Sequence, residues 1–406
     1  MSELKALNTQ ESCPGTSAGA SAHRVLVIIG SLDRGGSELH LLQVLPRLIA
    51  RGIAMEVFSL RGGGELEEKF RAAAIPVHVG SIRGGVLGLI GAAWRLRRAV
   101  RRQGGGIVHF YLPAAYILGV LCTLGLPDLR LVMSRRSLAK YQAKYPGIAA
   151  LERYLHRRMH AVLGVSQAVI TELEKEGIPK ERLSLIYNGI DIATLHPPSR
   201  TAARRALELP HDALILVIVA NLIPYKGHAL LLNALARVAH ALPSPWRLLC
   251  CGRDDGLGTE LGFVAQRLGL AGNVLWCGSV RDVAPYLAAA DIGVLPSDEE
   301  GFSNALLEGM AQALPMVVTA VGGNPEAVIH GETGLVVTPG DAAALAAGIL
   351  ELAQDSERRR SLGAAGRLRV QSHFDINATI DSYAEIYANL AMRCATVIPN
   401  IARPQY

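Results

Sequence analysis

The chain has 406 residues, half of them hydrophobic, and a formal net charge of +6. Because this length exceeds one typical hydrophobic core, we expect two globular domains. No apolar stretch is long enough to span a bilayer, and the six cysteines show no metal-ligand spacing. These features argue against a membrane-spanning protein and a zinc protein, and they favour a reducing cytoplasm.

Residues 1–22 are small and polar and lack the apolar region of a signal peptide, so they predict a disordered tail. From residue 23 to residue 200, short apolar runs alternate with amphipathic segments. The predicted strands are HRVLVIIG, AMEVFSL, VHVG, IVHFY, LRLVMS, AVLGVS and LSLIYN. The predicted helices lie at about 37–50, 65–74, 86–103, 113–124, 148–158 and 167–176. Repeated strand and helix units of this kind predict a parallel, doubly wound sheet with right-handed crossovers.

A second, similar series begins after the proline-containing segment DIATLHPPSR, which we interpret as a linker. Its predicted strands are ALILVIVANL, WRLLCCG, NVLWCG, IGVLPS, MVVTAV and LVV. We therefore divide the chain into a first Rossmann-like domain over 23–200 and a second over 201–375. Residues 376–406 predict a helix that crosses back to the first domain, followed by a tail.

The charge is divided unevenly: residues 1–200 carry a net charge of +11 and residues 201–406 one of −5. Much of the positive charge lies in the predicted helix at 86–103, where VLGLIGAA precedes WRLRRAVRRQ. A basic amphipathic helix with a tryptophan suits an anionic membrane surface, although an ordinary solvated helix is nearly as good an interpretation. No nucleic-acid-binding signature accompanies the charge, which argues against nucleic acid as a partner.

Two adjacent glycines, Gly35 and Gly36, follow the first predicted strand in SLDRGGSE. Because they lack Cβ atoms, the anionic or hydroxyl groups of a ligand could approach the backbone amides at the start of the next helix. A turn shaped by packing alone is an equally good interpretation of this segment.

Polar residues follow three other strands of the first domain: His109, the pair Arg135 and Arg136, and Asn188 in NGID. Because the carboxyl ends of parallel strands share one edge of the sheet, we expect these residues there. The paired guanidinium groups are candidates for binding a phosphate or a leaving group. The structural alternatives are a buried, hydrogen-bonded histidine, a solvated arginine pair and a simple turn.

The most informative segment is SDEEGFSNALLE, between a predicted buried strand and a predicted helix that begins near Ser303 or Asn304. It places Glu300 in the loop and Glu308 more than one turn inside the helix. The amides at a helix N-terminus attract anions, and carboxylates accept hydrogen bonds from hydroxyl groups. The spacing therefore suits an extended ligand, a sugar joined to a pyrophosphate, although either glutamate alone would more simply be a solvated acid.

Three other loops of the second domain lie at the same predicted edge. ANLIPYKGH places Lys226 and Gly227 at the start of a helix, where a lysine can neutralise a diphosphate, although a lone surface lysine is usually just solvated. The segments CGRDDG and GSVRDV close the next two strands. Together these loops would hold a nucleobase, a ribose and phosphates in order.

Taken together, GGSE, the KG turn, NGID, EGFSNALLE and the glycine pair of AVGGNPE resemble the retaining family 4 glycosyltransferases of GT-B fold. The resemblance covers about residues 24–390, and Glu300 and Glu308, an E-x7-E motif, are its most specific part. It implies two Rossmann-like α/β domains, each with a doubly wound parallel sheet, that face each other across a cleft. The second domain would hold the nucleotide sugar and the first the acceptor.

The resemblance also implies residue roles. Glu308 would bind the ribose hydroxyls, Glu300 the hydroxyls of the donor sugar, and Lys226 the diphosphate, while His109 and Asn188 would lie on the acceptor side. The implied donor-binding residues are Gly35, Gly36, Asn221, Lys226, Gly227, Gly252, Arg253, Val280, Arg281, Glu300, Gly301, Phe302, Ser303, Asn304 and Glu308. The implied catalytic residues are Glu300, Lys226, Arg135 and Arg136.

The chain departs from the family pattern at two places. Asn221 stands where the family's GRL-x3-KG motif has an arginine, and SRRS stands where the family frequently has a histidine, so Arg135 or Arg136 is the expected replacement cation. The family's chemistry is drawn as a front-face substitution in which the donor diphosphate helps to deprotonate the acceptor. It rests on positioning and on stabilisation of the leaving group, without a protein nucleophile or a metal.

The sequence thus predicts a cytoplasmic, metal-independent, retaining hexosyltransferase, with a peripheral position at the inner face of the cell membrane left open. It would move a sugar from a nucleotide-diphosphate donor, with a UDP-sugar favoured, to a glycan or lipid-linked acceptor in cell-surface polysaccharide or glycolipid synthesis. No cofactor is expected. The alternatives are a nucleotide-sugar 2-epimerase of the same architecture, which the E-x7-E motif disfavours, and a non-catalytic sugar-nucleotide-binding protein, which Glu300, Glu308 and Lys226 together disfavour.

Overall fold

A computed structural model describes residues 24–82 and 85–395 of the chain. The tail predicted at 1–22 lies outside the described residues, and so does the end of the chain from residue 396.

Seven parallel strands form the first sheet, in the order β3-β2-β1-β4-β5-β6-β7. They are β1 (Arg24–Ile29), β2 (Ala54–Ser59), β3 (Val77–Val79), β4 (Gly106–Tyr111), β5 (Leu129–Arg135), β6 (Ala161–Gly164) and β7 (Leu183–Leu185). The helices between them are α1 (Gly36–Ala50), α2 (Glu67–Ala72), α3 (Gly85–Gln103), α4 (Pro113–Thr123), α5 (Tyr141–Lys144), α6 (Pro146–His156) and α7 (Gln167–Lys175). β1 is apolar and buried from its second residue onward, as expected of a parallel strand that is covered on both faces.

Six parallel strands form the second sheet, in the order β10-β9-β8-β11-β12-β13. They are β8 (Leu214–Val219), β9 (Trp246–Cys251), β10 (Val274–Gly278), β11 (Ile292–Leu295), β12 (Met316–Thr319) and β13 (Leu335–Val337). The helices of this half are α8 (Arg200–Ala206), α9 (His228–Val238), α10 (Gly258–Arg267), α11 (Ala284–Ala289), α12 (Asn304–Ala311), α13 (Asn324–Ala327), α14 (Ala342–Gln354) and α15 (Ser356–His373).

Both sheets are doubly wound, which confirms the predicted pair of Rossmann-like folds. The direction in which strands are added reverses beside the first strand of each sheet, between β1 and β4 and between β8 and β11. Open sheets of this kind bind ligands in the crevice outside the carboxyl ends of the strands at that reversal. We therefore expect a site at the loops after β1, β8 and β11.

The last helix, α16 (Ile376–Ala395), returns to the first sheet, where it packs against α1 and β4. Its buried residues Tyr383 and Tyr387 join the core beneath that sheet. The boundaries that we place at 200/201 and 375/376 stay a prediction.

Several predicted elements have different limits in the structure. α2 is shorter than the predicted 65–74, and β7 ends at Leu185, before the IYN of the predicted strand. The helices predicted for the first domain do not include α5, and the prediction for the linker does not include α8. α8 begins within the predicted linker because the Ser199 side chain caps it, accepting a hydrogen bond from the amide of Ala202.

In the described ranges, 24–82 and 85–395, no helix combines the length and the apolar character that crossing a membrane would require.

Candidate functional site

The carboxyl edges of the two sheets face each other and are joined by hydrogen bonds. Asn188, after β7, donates from Nδ2 to the carbonyl oxygen of Phe302 at 2.9 Å and to Oδ1 of Asn304 at 2.7 Å. Asn304 in turn donates from its own Nδ2 to the carbonyl oxygen of Gly36 at 3.0 Å. These contacts bring the N-terminus of α12 against the start of α1.

At two of the predicted glycines, another backbone segment comes too close to leave room for a side chain. Gly227 has a φ of 75°, and a Cβ there would stand 2.0 Å from the carbonyl oxygen of Pro296. A Cβ on Gly301 would stand 2.1 Å from the carbonyl oxygen of Arg136, in the opposite half of the molecule. Any side chain at either position would push loops of the cleft apart.

Lys226 and Glu300 meet at the centre of the second-sheet edge. Lys226 ends a short 3-10 helix, Pro224–Lys226, and its Nζ donates to Oε1 of Glu300 at 2.6 Å. The hydroxyl of Ser297 donates to the same oxygen at 2.8 Å. Glu300 is buried, so this carboxylate is held in place by the lysine and the serine together.

The N-terminus of α12 is fixed in the cleft. Ser303 is its N-cap, and its Oγ accepts a hydrogen bond from the amide of Leu306 at 3.3 Å, which settles the choice between Ser303 and Asn304. The buried ring of Phe302 lies 5.0 Å from the Tyr187 ring centroid and 5.2 Å from that of Phe374. The helix therefore presents its first amides to the cleft from a rigid position.

Glu308 lies further along α12 and is partly buried. Burial and the nearby carboxylate of Asp282 raise its pKa to about 7, against the opposing effect of Arg34. Arg34 precedes the glycine pair of the first domain and reaches across to donate to the carbonyl oxygen of Arg281, while its Nη1 lies 3.3 Å from Glu65. Neither Arg34 nor Asp282 was predicted; the only signal was their position in the loops SLDRGG and GSVRDV.

Asn221 holds a neighbouring loop in place. Its Oδ1 accepts a hydrogen bond from the backbone amide of Arg253 at 3.1 Å. The Arg253 side chain pairs with Asp255 at 2.6 Å and reaches the carbonyl oxygen of Arg34 at 3.4 Å. Asn221 thus positions the loop that carries Arg253.

The remaining predicted donor-side residues shape the loops. Gly35 is the N-cap residue of α1. A Cβ on Gly252 would lie 1.9 Å from the carbonyl oxygen of Ala220, so this glycine permits the loops after β8 and β9 to touch. Val280 is partly buried against the core.

Arg136 faces the cleft from the first sheet. Its Nε donates to Oγ of Ser37 at 3.1 Å, and its Nη2 donates to Oδ1 of Asn188 at 2.7 Å. Its Nη1 is buried and has no hydrogen-bond partner among the described residues. A buried guanidinium nitrogen with an unused donor is a candidate for an anionic ligand.

Arg135 does not face the cleft, and this corrects its assignment to the site. Arg135 is the last residue of β5 and Arg136 the first after it, and the two side chains have different partners. It binds the carboxylate of Glu176 through two hydrogen bonds of 2.9 and 3.0 Å, and His156 meets the same carboxylate at 2.7 Å. Although burial alone would raise it, the hydrogen bonds from His156 and Arg135 lower the pKa of Glu176 to about 2.

His109 does not belong to the acceptor side either. Its Nδ1 lies 2.7 Å from the hydroxyl of Tyr387, and its Nε2 lies 2.8 Å from Oγ of Ser134. Burial, reinforced by Arg136, lowers its pKa to about 3, so the ring is neutral at physiological pH. It is a fully buried link between the first sheet and α16, which is the structural alternative noted for it.

Glu326 is a cross-cleft residue that the sequence reasoning missed. Its carboxylate accepts hydrogen bonds from the amides of Gln167 and Ala168, at 2.7 and 3.0 Å, at the N-terminus of α7. The hydroxyl of Tyr187 donates to it at 2.9 Å. The segment GGNPE contained the residue, but no local pattern indicated partners in the other half.

The cleft therefore combines two cations, Lys226 and Arg136, with a helix N-terminus and two carboxylates, Glu300 and Glu308. Such a set can bind a diphosphate between the cations and hydroxyl groups at the carboxylates. In the part of the chain that the structure describes, no three His, Cys, Asp or Glu residues form a group that could hold a metal ion.

Comparison with known proteins identifies related families for both halves. A family model described as "Glycosyl transferases group 1" matches residues 213–355, and one described as "Glycosyltransferase Family 4" matches residues 34–194. The D-inositol 3-phosphate glycosyltransferase of Thermobispora bispora is 27% identical over 91% of this chain and 93% of its own length. The N-acetyl-alpha-D-glucosaminyl L-malate synthase of Bacillus anthracis is 28% identical over 60% of this chain and 63% of its own.

Solved structures share the fold. Anabaena HepE, solved in complex with UDP-glucose, superposes with a TM-score of 0.81 at 23% identity, over 90% of this chain and 100% of its own. Sucrose-phosphate synthase from Thermosynechococcus elongatus gives a TM-score of 0.78 at 24% identity, over 91% of this chain and 100% of its own. At these identities the likeness establishes the two-domain architecture.

Proposed function

This chain belongs to the family 4 (group 1) glycosyltransferases of GT-B fold, and from that premise we propose that it transfers a sugar from a nucleotide-diphosphate donor, with retention, to a hydroxyl group of a glycan or lipid-linked acceptor. The observation that carries the proposal is the pair of Lys226 and Glu300 beside the N-terminus of α12. A cation, a carboxylate and helix amides in one loop are the groups that a sugar diphosphate needs.

The donor would lie along the second-sheet edge. Glu308 would accept hydrogen bonds from the ribose hydroxyls and Glu300 from the hydroxyls of the transferred sugar, 2.6 Å from the lysine that would bind the diphosphate between them. A UDP-sugar is the favoured donor, and the UDP-glucose complex of HepE, which has the same fold, supports that choice.

The leaving group would be stabilised from both halves of the molecule. Lys226 approaches from the second sheet, and Nη1 of Arg136, which has no hydrogen-bond partner in the described ranges, approaches from the first. Arg136 would thus supply the cation that Asn221 does not. In a front-face reaction the bond from the anomeric carbon to the diphosphate breaks as the bond to the acceptor oxygen forms on the same face, and the acceptor proton passes to a diphosphate oxygen. The protein's part is to position both substrates and to stabilise the departing charge.

The acceptor would lie on the first-domain side, whose net positive charge favours an anionic acceptor such as a lipid diphosphate. We place the activity in cell-surface polysaccharide or glycolipid synthesis, in the cytoplasm or at the inner face of the cell membrane, with the basic segment 86–103 towards the lipid.

A thermal-shift screen of UDP-, GDP-, ADP- and TDP-sugars tests the donor, since a ligand that binds the folded state stabilises it in proportion to the logarithm of its excess over Kd. The donor that stabilises is then incubated with lipid-linked acceptors, and the product is analysed for the retained anomer. An epimer formed from UDP-GlcNAc alone would point to the 2-epimerase instead. Stabilisation without turnover for any pair would point to a non-catalytic binding protein.

A further inference from the structure

Exposed large hydrophobic side chains concentrate on three neighbouring helices of the first domain, whose outer surface we call the α3-α4-α6 face. α4 packs against both α3 and α6, and the inner sides of all three contribute to one core cluster. The exposed residues of this face are Val86, Leu87, Leu89, Ile90, Trp94, Leu121, Leu124, Tyr145, Ile148, Leu151 and Tyr154. Elsewhere in the described chain, the exposed large hydrophobic residues are scattered: Tyr225, Phe263, Trp276, Leu368 and Met392.

In α3, the exposed apolar residues lie on the side of the helix that faces away from the hydrophobic core. The core-facing residues of this helix, Ala92, Leu96 and Val100, recur every four positions. Leu87, Ile90 and Trp94 lie on the opposite side and are 82%, 60% and 61% exposed. A contiguous apolar surface of this kind on a folded protein marks a place of interaction.

The same face is basic. After its apolar first turns, α3 continues with Arg98, Arg101 and Arg102, and residues 85–103 contain no acidic residue. The guanidinium carbon of Arg98 lies 5.4 Å from the centroid of the Trp94 ring. The one acidic residue of α6, Glu152, is buried and accepts hydrogen bonds from Tyr141. Apolar residues with arginines around them complement an anionic lipid surface, whereas two copies of this face would bring arginine against arginine.

We propose that the α3-α4-α6 face docks on an anionic bilayer, with Leu87, Ile90 and Trp94 in the interface and the arginines against headgroup phosphates. The docking site is thus a surface of three helices rather than the single helix at 86–103.

The position of this face links the membrane to the cleft. α5 and then α6 follow the loop that carries Arg136 and Lys140, and Lys140 donates to the carbonyl oxygen of Asp298 beside the Lys226–Glu300 pair. A lipid-linked acceptor held in the same bilayer would therefore enter the cleft from the docked side. This consequence rests on the proposed transferase function, whereas the docking itself does not.

The test is co-sedimentation of the full chain with vesicles of phosphatidylcholine alone and of phosphatidylcholine mixed with phosphatidylglycerol. The triple variant Leu87→Ser, Ile90→Ser, Trp94→Ser should bind the mixed vesicles at least about tenfold more weakly, because burial of three large apolar side chains is lost. The matched control is Phe263→Ser with Leu368→Ser, whose side chains are 67% and 65% exposed on the other domain, and it should bind as the wild type does.

A second set of variants separates charge from burial. Replacing Arg98, Arg101 and Arg102 by Gln should weaken binding at low salt by about fivefold per arginine, and only on the anionic vesicles. Arg360→Gln, an exposed arginine of α15, is the control. The Trp94 fluorescence should shift to the blue on binding, and Trp94→Phe should remove the shift while leaving most of the binding.

Equal binding of the wild type and both face variants to anionic vesicles would overturn the proposal. Failure of the wild type to bind anionic vesicles would also overturn it. If the wild type does not bind vesicles but forms a dimer, and the triple variant is monomeric, the face instead joins two copies of the chain. UDP binding, measured on the same proteins without vesicles, should be unchanged in every variant. If the wild type binds vesicles but does not bind UDP, the result would count against the transferase function but not against the docking.

Discussion

The cations on the two sides of the cleft differ in how far they are already paired. On the second-sheet side, Lys226, Ser297 and Glu300 form a closed set, and Asn221 ties down the next loop. On the first-sheet side, a buried nitrogen of Arg136 has no hydrogen-bond partner within the described residues. This difference indicates that the donor side is preorganised, because its side chains are already in place without a ligand. On the first-sheet side, an anionic ligand would supply the missing partner of Arg136.

Within the first-sheet side, two adjacent arginines show the same contrast at the scale of one strand. Arg135 is buried and fully engaged by Glu176, whereas Arg136 turns into the cleft. Arg135 ends β5 and forms a structural ion pair, whereas Arg136, the next residue, is a candidate for the leaving-group site.

The largest effect is expected from Arg135→Met. The change removes both guanidinium hydrogen bonds from the largely buried carboxylate of Glu176, so the free energy of unfolding should fall by roughly 3–5 kcal/mol. Urea unfolding followed by circular dichroism measures it. An unchanged midpoint would show that the ion pair does not stabilise the fold, and the contrast between the two arginines would fail.

Lys226→Met should lower kcat by about 10²–10³, because the leaving diphosphate loses a preorganised cation. The measurement is initial rate of nucleotide release with the donor and acceptor found in the screen. Arg360→Met, a change of the same kind on the exposed surface of α15, should leave the rate unaltered. A mutant of Lys226 that keeps the wild-type kcat would remove the lysine from the leaving-group site.

Arg136→Met should lower kcat/KM by about 10², at the lower end of the range for one stabilising donor, and change the unfolding midpoint far less than Arg135→Met does. The two variants should therefore have different defects: Arg135→Met lowers stability, and Arg136→Met lowers turnover. If Arg136→Met keeps its activity, Arg136 does not supply the cation that the neutral side chain of Asn221 cannot provide.

Glu308→Gln should stabilise the folded protein near neutral pH. The folded-state pKa of Glu308 is about 7, above its ordinary value of 4.5, so the unfolded chain loses this proton first as the pH rises and stability falls between those two values. Removing the carboxylate should therefore raise the free energy of unfolding on the order of 1–3 kcal/mol at about pH 8, and by little at about pH 4. Thermal melts at the two pH values measure it, and a gain that does not depend on pH would refute the assigned pKa.

The strands, the α12 loop and the glutamates of the E-x7-E motif could be predicted because their signals are local: apolar runs, an N-cap and fixed spacing. The faces of Arg135 and Arg136 could not, since two adjacent polar residues at a strand end do not say which one points inward. Arg34 and Glu326 were missed for a different reason. Their partners lie in the other half of the molecule, and no local pattern encodes how two domains face each other.

Calorimetric titration with UDP tests the central claim, that the second-sheet edge holds the nucleotide of the donor. We predict that the wild-type chain and Arg360→Gln bind UDP with equal Kd, and that Glu308→Gln binds at least about tenfold more weakly, because two hydrogen bonds from ribose hydroxyls lose a charged acceptor. Equal affinity of Glu308→Gln and the wild type would contradict the account.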